Sequence, residues 1–393
     1  MNKLLITRQT YTKESYLCAL VDEKNRMLEV NLYPLLADPT EEIGTIVVGK
    51  VKNIAQNLNA AFVDIAKGKT CYLSLEHMET ALFTHQARAG KLTEGDEVVV
   101  QIIKERIKSK FPIVSTKLSF PGSYMVLTNE KRGISYSSRL RESQKQNLEN
   151  QVNAYRSKEY SLIVRTNAGI AALEDIMTEL SALKAEYMTL RDTYMHRTCY
   201  SVLKSSKPFY VKELENIYAD SLEEIVTDEA DIYAALQPQY ADKLRLYQND
   251  AICLSALYSV NAQLEKALQE RVWLKSGAYL VIQPTEAMIV IDVNSGKKTT
   301  GKNAQENYAK INTEAAKEIA RQLRLRNLSG ICIIDFINME SEEQRSRLMN
   351  EFKSFLREDP VPTQQIDITR LGLVEVTRKK GRRSLAEQIR DFL

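Results

Sequence analysis

The stretch Ile289-Val-Ile-Asp-Val-Asn-Ser-Gly296 decides how the C-terminal part of this chain is interpreted. It is an apolar run that stops at an acidic residue, and Ile331-Cys-Ile-Ile-Asp-Phe-Ile337 repeats the pattern further along. Each run predicts a buried strand, and the long basic helical pattern between them predicts a crossover helix. Parallel strands joined in this way lie side by side or nearly so, with their carboxyl ends at one edge of the sheet. We therefore expect Asp292, Asn294 and Asp335 to converge there.

These three side chains indicate a metal site. Two carboxylates without a neighbouring histidine suit a hard cation that prefers oxygen ligands, such as Mg²⁺. The five cysteines are scattered without a CxxC pair, which argues against a zinc site and against a disulfide framework. Cysteine usage therefore favours a reduced, intracellular setting.

Composition is that of an ordinary soluble protein. The chain has 393 residues, enough for about two to four domains, with 44% hydrophobic and 27% charged residues. Its net charge of +3 is too small to indicate nucleic-acid binding by itself. The N-terminus lacks the apolar core of a signal peptide, and no run has the length of a membrane span. We expect a cytoplasmic protein.

Short strands dominate the N-terminal third. Residues 1–35 predict a β-meander whose core is too thin to be stable alone, so it should join another segment. Residues 40–118 predict five short strands of a small barrel of the OB-fold type, which often binds single-stranded nucleic acid. Phe62 and Tyr72 could stack on bases and Lys110 could contact a phosphate. From the strand pattern alone, however, a core position is the favoured interpretation of both aromatic residues.

The middle of the chain is less distinctive. Residues 119–207 combine strands with a long helix near 171–194, and Arg165-Thr-Asn-Ala-Gly169 forms a turn before that helix which could hold a phosphate. A helix cap with a surface arginine explains the same turn and is favoured without further context. Residues 208–270 are predicted to be mostly helical, with one strand at 243–247 and helix breaks at the prolines Pro208 and Pro238.

A second motif competes with the metal site. Gly296-Lys-Lys-Thr-Thr-Gly-Lys302 matches GxxxxGK, the pattern of a phosphate-binding loop. The residue after the lysine in that motif is Ser or Thr, whereas this chain has Asn303, and the motif assigns no role to Asp292 or Asn294. A P-loop-like nucleotide hydrolase therefore stays as an alternative.

Several segments resemble the ribonuclease E/G family. The resemblance of the catalytic region is carried, in order, by Asp292-Val-Asn-Ser-Gly296, Asn312-Thr-Glu-Ala-Ala316, Glu318-Ile-Ala-Arg-Gln-Leu-Arg-Leu-Arg326 and Asp335-Phe-Ile337. It extends outward through Ala60-Ala-Phe-Val-Asp64, Pro121-Gly-Ser-Tyr-Met-Val-Leu127, Ile163-Val-Arg-Thr166 and Leu371-Gly-Leu-Val-Glu375. Essentially the whole chain is covered.

The resemblance implies an α+β multidomain architecture. Residues 1–35 and 208–270 would form a split RNase H-like domain, into which an OB-fold RNA-binding domain (36–118) and a 5′-sensor domain (119–207) are inserted. Residues 271–393 would form a DNase I-like α/β catalytic domain.

The resemblance also implies residue roles. Asp292 and Asp335 would bind one Mg²⁺ per active site, and Asn294 would position the scissile phosphate. Single-stranded RNA would be contacted by Phe62, Tyr72 and Lys110, and a 5′-terminal monophosphate by Arg165 and Thr166. Some of the basic residues of the crossover helix would face the RNA backbone, although a solvated helix face is the safer interpretation for each: Lys310, Lys317, Arg321, Arg324 and Arg326.

The implied activity is that of a magnesium-dependent endoribonuclease acting in RNA processing or decay. It would cleave single-stranded, A/U-rich RNA to 5′-phosphate and 3′-hydroxyl products, with stimulation by a 5′-monophosphate. The family's cysteine motif, through which zinc links two subunits, does not occur in this sequence, so we expect no zinc and a homodimer only through another interface. A non-catalytic RNA-binding or ribosome-assembly factor is the other alternative.

Overall fold

The computed structural model describes residues 1–9, 15–36, 38, 40–85, 92–106, 111–296 and 304–391. The chain divides into two compact units, which we call the terminal unit (residues 1–35 and 221–393) and the inserted unit (residues 36–220). The lysine expected to contact phosphate, Lys110, and most of the GxxxxGK loop lie outside the described residues. None of the helices in the described ranges is long and apolar enough to cross a membrane.

The predicted N-terminal meander is confirmed. Its strands pair in antiparallel order and are β1 (Asn2–Gln9), β2 (Ser15–Val21) and β3 (Met27–Pro34).

The inserted unit begins with the predicted five-stranded barrel, which is also confirmed. Its strands are β4 (Ile46–Ala55), β5 (Ala60–Ala66), β6 (Lys69–Ser74), β7 (Glu97–Lys104) and β8 (Ile113–Ser115). They pair in the order β4-β5-β6-β8-β7, and β7 pairs back with β4 to close the barrel. Alternate residues of each strand are apolar and fill the interior, as the period of a strand requires.

The rest of the inserted unit is a small sheet covered by a helix. It contains β9 (Ser119–Pro121), β10 (Met125–Thr128), β11 (Ile134–Tyr136), α1 (Glu142–Val152), β12 (Ser161–Val164), α2 (Leu173–Thr193), β13 (Val202–Lys204) and α3 (Phe209–Asn216). The strand order is β11-β12-β10-β9, while β13 joins β4 of the barrel. The apolar stripe of α2, including Ile176, Leu180 and Leu183, packs on this sheet.

The chain then returns to the meander. The elements are β14 (Leu222–Thr227), α4 (Ala230–Tyr240), β15 (Leu244–Leu246), α5 (Leu254–Leu257) and α6 (Val260–Leu268). β14 pairs in parallel with β1, which gives the sheet order β15-β14-β1-β2-β3. The expectation that the meander joins another segment is therefore confirmed. The prediction of a single strand in this region was wrong, since β14 was missed, and Pro238 lies inside α4 close to its end rather than at a break.

The last sheet carries the acidic residues. Its elements are β16 (Arg271–Trp273), β17 (Tyr279–Pro284), β18 (Ile289–Asn294), α7 (Ala304–Leu325), β19 (Gly330–Asp335), α8 (Glu342–Leu356), β20 (Thr363–Ile368) and β21 (Val374–Arg378), followed by α9 (Leu385–Asp391). The strand order is β16-β17-β18-β19-β21-β20. Residues of α7 and α8 cover one face and form its core with Ile291, Val293 and Ile334. The opposite face, which we call the open face, presents the alternate residues.

Candidate active site and RNA-binding residues

Asp292 and Asp335 are direct register partners on the adjacent strands β18 and β19, which pair in parallel as predicted. Both residues are exposed, whereas Ile291, Val293 and Ile334 beside them are buried. Because side chains alternate along a strand, the two carboxylates share the open face. Neighbouring strands lie about 4.8 Å apart, so both carboxylates can reach one cation.

The third predicted residue lies next to them. The Asn294 side-chain amide donates a hydrogen bond to Asp292 Oδ2 at 2.6 Å. The chain then turns at Gly296, where φ is +73° and a Cβ would lie 2.3 Å from the Gly277 carbonyl oxygen. Only glycine is compatible with both conditions, so the glycine of the motif is required for the chain to leave β18 directly after Asn294.

A buried asparagine fixes the position of the segment after Asp335. Asn312 on α7 has no exposed surface. Its side-chain amide donates to the Ile337 carbonyl at 2.7 Å, and its side-chain oxygen accepts from the Ile337 N–H at 3.1 Å. Both backbone groups of Ile337 are thus satisfied by one side chain. In the sequence, Asn312 can be recognised as unusual because it is a polar residue at a position of the helix where the periodic pattern predicts an apolar one.

The two carboxylates fit Mg²⁺. Within the described residues, no group of three or more His, Cys, Asp or Glu side chains is placed to hold a metal ion. Mg²⁺ retains several waters and is held in nucleotide and nucleic-acid enzymes by one or two carboxylates together with substrate phosphate oxygens. A pair of exposed acids on one sheet face therefore matches its coordination chemistry.

The basic residues of the crossover helix α7 mostly serve the fold. Arg321 donates to the Met27 carbonyl at 2.5 Å and pairs with Glu318. Arg324 pairs with Glu29 at 3.1 Å, so both arginines tie α7 to the N-terminal meander of the same unit. Arg326 is buried, which lowers the pKa of its guanidinium to about 10. The solvated helix face that is the safer interpretation of each residue is therefore wrong for these three arginines, whose side chains are partly or fully buried.

The barrel carries an aromatic cluster on its outer surface. Phe62 and Tyr72 are register partners on β5 and β6, partly exposed, and their ring centroids are 6.3 Å apart. Their strand neighbours, such as Val63 and Cys71, fill the interior instead, so the core position favoured by the strand pattern is wrong. Phe111, 45% exposed, adds a third ring 5.4 Å from that of Phe62. Sequence reasoning missed Phe111, although it directly follows Lys110.

Arg165 is held in place rather than loose on the surface. Its guanidinium donates to the Gly122 carbonyl at 2.6 Å and to Asn216 Oδ1 at 3.2 Å, and burial lowers its pKa. Thr166 begins a short 3₁₀ turn, and its hydroxyl shares a 3.0 Å hydrogen bond with that of Ser137. A guanidinium has five N–H donors, and these two hydrogen bonds use two of them, so fixing the side chain in place does not by itself prevent Arg165 from binding a phosphate.

A glutamate of α2 supports this arrangement and was missed by sequence reasoning. The Glu179 carboxylate accepts hydrogen bonds from the backbone N–H groups of Ser123, Tyr124 and Met125 at 2.7, 2.8 and 2.8 Å. A Cβ at Gly122 would lie 2.4 Å from the Glu179 carboxyl carbon, so this close approach requires glycine. Glu179 thereby fixes the loop whose carbonyl holds Arg165.

Comparison with known proteins agrees with these features. Residues 40–117, which include the barrel and its aromatic cluster, match the S1 RNA binding domain. Residues 119–381 match the model of the ribonuclease E/G family, and the chain belongs to that family.

Individual relatives extend the match over most of the chain. Ribonuclease E of Synechocystis sp. is 32% identical over 97% of this chain and 58% of its own length. Ribonuclease E of Nostoc sp. is 30% identical over 98% of this chain and 57% of its own length. Ribonuclease G of Haemophilus influenzae is 30% identical over 89% of this chain and 74% of its own length. The chain thus spans somewhat more than half the length of these two ribonuclease E relatives.

Proposed function

We propose that this protein is an endoribonuclease that cleaves single-stranded RNA with Mg²⁺ held by Asp292 and Asp335. The observation that carries the proposal is the register pairing of these two acids on one open sheet face, within a chain of the ribonuclease E/G family. The S1 match and the outward aromatic cluster support RNA as the substrate. RNA processing or decay is the role that follows.

The chemistry follows from the side chains in the site. When bound, Mg²⁺ supplies Lewis-acid stabilisation of the charge that develops on the phosphate oxygens. Asp292 and Asp335 hold the ion, and Asn294, fixed against Asp292, positions the scissile phosphate. Water attacks phosphorus in line, the bond from phosphorus to O3′ breaks, and O3′ takes up a proton. The products carry a 5′-phosphate and a 3′-hydroxyl.

Substrate selection is assigned to the inserted unit. Phe62, Tyr72 and Phe111 stack on unpaired bases, while Lys110 contacts a phosphate, so single-stranded segments are favoured. Because stacking tolerates any base, the A/U preference rests on the family resemblance alone. Arg165 and Thr166 bind the 5′-terminal monophosphate. A homodimer that does not depend on zinc stays a prediction.

The proposed architecture assigns each part of the chain to a domain. Residues 1–35 and 208–270 form the split RNase H-like domain, 36–118 the OB-fold domain, 119–207 the 5′-sensor domain and 271–393 the DNase I-like catalytic domain. The parallel pairing of β1 with β14 supports the split, because one sheet is built from segments that lie before and after the inserted unit in the chain.

A cleavage assay on a 5′-monophosphorylated, A/U-rich oligoribonucleotide tests the proposal. We expect cleavage with Mg²⁺, none after chelation, and by mass spectrometry a 5′-phosphate on the downstream product and a 3′-hydroxyl on the upstream product. Binding of the oligonucleotide without cleavage under any divalent cation would indicate a non-catalytic RNA-binding protein instead. ATP or GTP hydrolysis that is lost in Lys302→Ala would support the nucleotide hydrolase.

Arg165→Ala is expected to reduce cleavage of 5′-monophosphorylated RNA about 10- to 100-fold more than cleavage of the same RNA with a 5′-hydroxyl. A hydrogen bond to a charged group contributes about 1.5–3 kcal/mol, and the 5′-hydroxyl substrate lacks that charge. Initial rates on the two substrates measure the ratio, and the 5′-hydroxyl substrate controls for any structural damage in the variant. Equal losses on both would leave Arg165 only its structural contacts to Gly122 and Asn216.

A further inference from the structure

The edge strand β16 places the chain's only tryptophan on the open face of the catalytic sheet. Trp273 is 63% exposed, and Arg271, two residues earlier, is exposed as well. Val272 between them packs against the core under the opposite face. Most tryptophan side chains are largely buried, so an indole with this exposure is informative.

Trp273 belongs to a compact cluster with two other side chains. Its ring centroid lies 5.1 Å from that of Tyr279, with an interplanar angle of 55°. The Arg271 guanidinium carbon lies 4.6 Å from the Tyr279 centroid and 5.8 Å from the Trp273 centroid. Among the ion pairs of the described residues, none includes Arg271, so the guanidinium is held by the rings rather than by a carboxylate.

The register of the sheet connects this cluster to the acidic pair. Trp273 is opposite Tyr279, which is opposite Asn294, and Arg271 is opposite Val281, which is opposite Asp292. Direct partners on neighbouring strands share a face, so the cluster and the acids lie on the same open face. Two strand spacings, about 10 Å, separate Arg271 and Trp273 on β16 from the strand β18 that carries Asp292.

We propose that Trp273, Tyr279 and Arg271 form a binding site for one nucleobase of the RNA, beside the nucleotides whose phosphate is cleaved. The base stacks on the exposed indole, and the Arg271 guanidinium attracts the polyanionic backbone. RNA is the occupant that the charge favours, because the cation beside the rings complements a phosphate chain. The inference rests on the proposed function and adds to it a position on the catalytic sheet where the cleaved strand is held.

The tryptophan itself reports on the site. A 5′-monophosphorylated A/U-rich oligoribonucleotide carrying a 3′ dye is titrated into the Asp292→Asn variant, which is expected to bind RNA without cleaving it. Dye anisotropy measures binding, and indole fluorescence measures stacking on Trp273. We expect quenching that follows the anisotropy, and a loss of that quenching when one nucleotide near the cleavage position is made abasic.

The two readouts separate the possible failures. Normal binding by anisotropy with unchanged indole fluorescence would overturn the stacking site and leave the proposed function intact. An absence of binding would overturn both. Quenching that increases with protein concentration in the absence of RNA would place a second copy of the chain on this face and would also overturn the inference.

Cleavage kinetics provide a second measurement in the active protein. Trp273→Ala is expected to lower kcat/KM about 5- to 150-fold, the range for loss of one base stacked on an aromatic ring, while Trp273→Phe retains most of the activity. Ile331→Ala, which truncates a 50% exposed side chain elsewhere on the same open face, is the matched control and should cleave at the normal rate. Equal rates for Trp273→Ala and the control would contradict the proposal.

Discussion

Asp292→Asn is expected to lower the rate of RNA cleavage by about 10³-fold or more while leaving RNA binding nearly unchanged. The substitution removes one of the two carboxylates that pair in register on the open face, and in the proposed mechanism the cation would lose one of its two protein ligands. Lewis-acid stabilisation of the transition state contributes several kcal/mol, and each 1.36 kcal/mol corresponds to about a factor of ten. Asparagine has nearly the same shape, so packing should not change.

Single-turnover cleavage and equilibrium binding of one oligonucleotide give the two quantities. Asp335→Asn should behave in the same way, because Asp335 is the register partner of Asp292. Asp367→Asn on the edge strand β20 is the matched control, since this exposed acid lies two strands away from Asp335 and is not a register partner of either acid. A wild-type cleavage rate in the Asp292 variant would remove the basis of the proposed function.

Arg378→Ala is expected to destabilise the terminal unit by about 3–5 kcal/mol. Arg378 and Asp359 are 3% and 4% exposed and form a two-point ion pair, with Nε to Oδ2 at 2.6 Å and Nη2 to Oδ1 at 3.3 Å. Arg378 Nη1 also donates to Asn327 Oδ1 at 2.7 Å. Removing the arginine leaves a buried carboxylate without its counter-charge. Arg378 lies in the same sheet as the acidic pair but is opposite Gly330, at the start of β19, whereas Asp335 ends that strand.

Urea unfolding followed by indole fluorescence measures this effect, because the only tryptophan, Trp273, lies in the same unit. Arg347→Ala is the matched control, since its ion pair with Glu351 is on the surface and Arg347 is 81% exposed. Exposed pairs contribute about 0–1 kcal/mol, so the control should unfold at nearly the wild-type urea concentration. Similar midpoints for the two variants would show that the buried pair contributes no more than a surface pair.

Local pattern was sufficient to predict the elements that carry the site. The apolar runs ending at Asp292 and Asp335 were long, uniform and separated by a helical period, so their strands and their parallel pairing followed from the sequence. The barrel strands were recognised because alternation and glycine turns are local signals as well.

The missed features depend on residues that are distant along the chain. The strand Leu222-Glu-Glu-Ile-Val-Thr227 contains two glutamates and lies in a region that the sequence pattern predicts to be mostly helical. In the structure Glu224 pairs with Lys3 on the strand that lies beside it, at 2.9 Å. Glu179 also depends on a distant partner, because the loop that it holds lies more than fifty residues earlier in the chain. Phe111 can be recognised as part of the aromatic cluster only once the structure shows its ring beside that of Phe62. Local strand propensity contains no information on contacts with residues that are distant in the sequence and become neighbours only in the folded protein.

The parallel pairing of β1 with β14 has a consequence for how the protein is made. During translation the first three strands emerge with one long edge of β1 uncovered, and the strand that covers it begins only at Leu222. The inserted unit is one continuous stretch of the chain, so it can fold during synthesis while the free edge of β1 is still unpaired. An uncovered edge strand is a template for pairing with other chains. Slow or interrupted synthesis between the two strands therefore exposes the protein to aggregation before the sheet that begins at its N-terminus is complete.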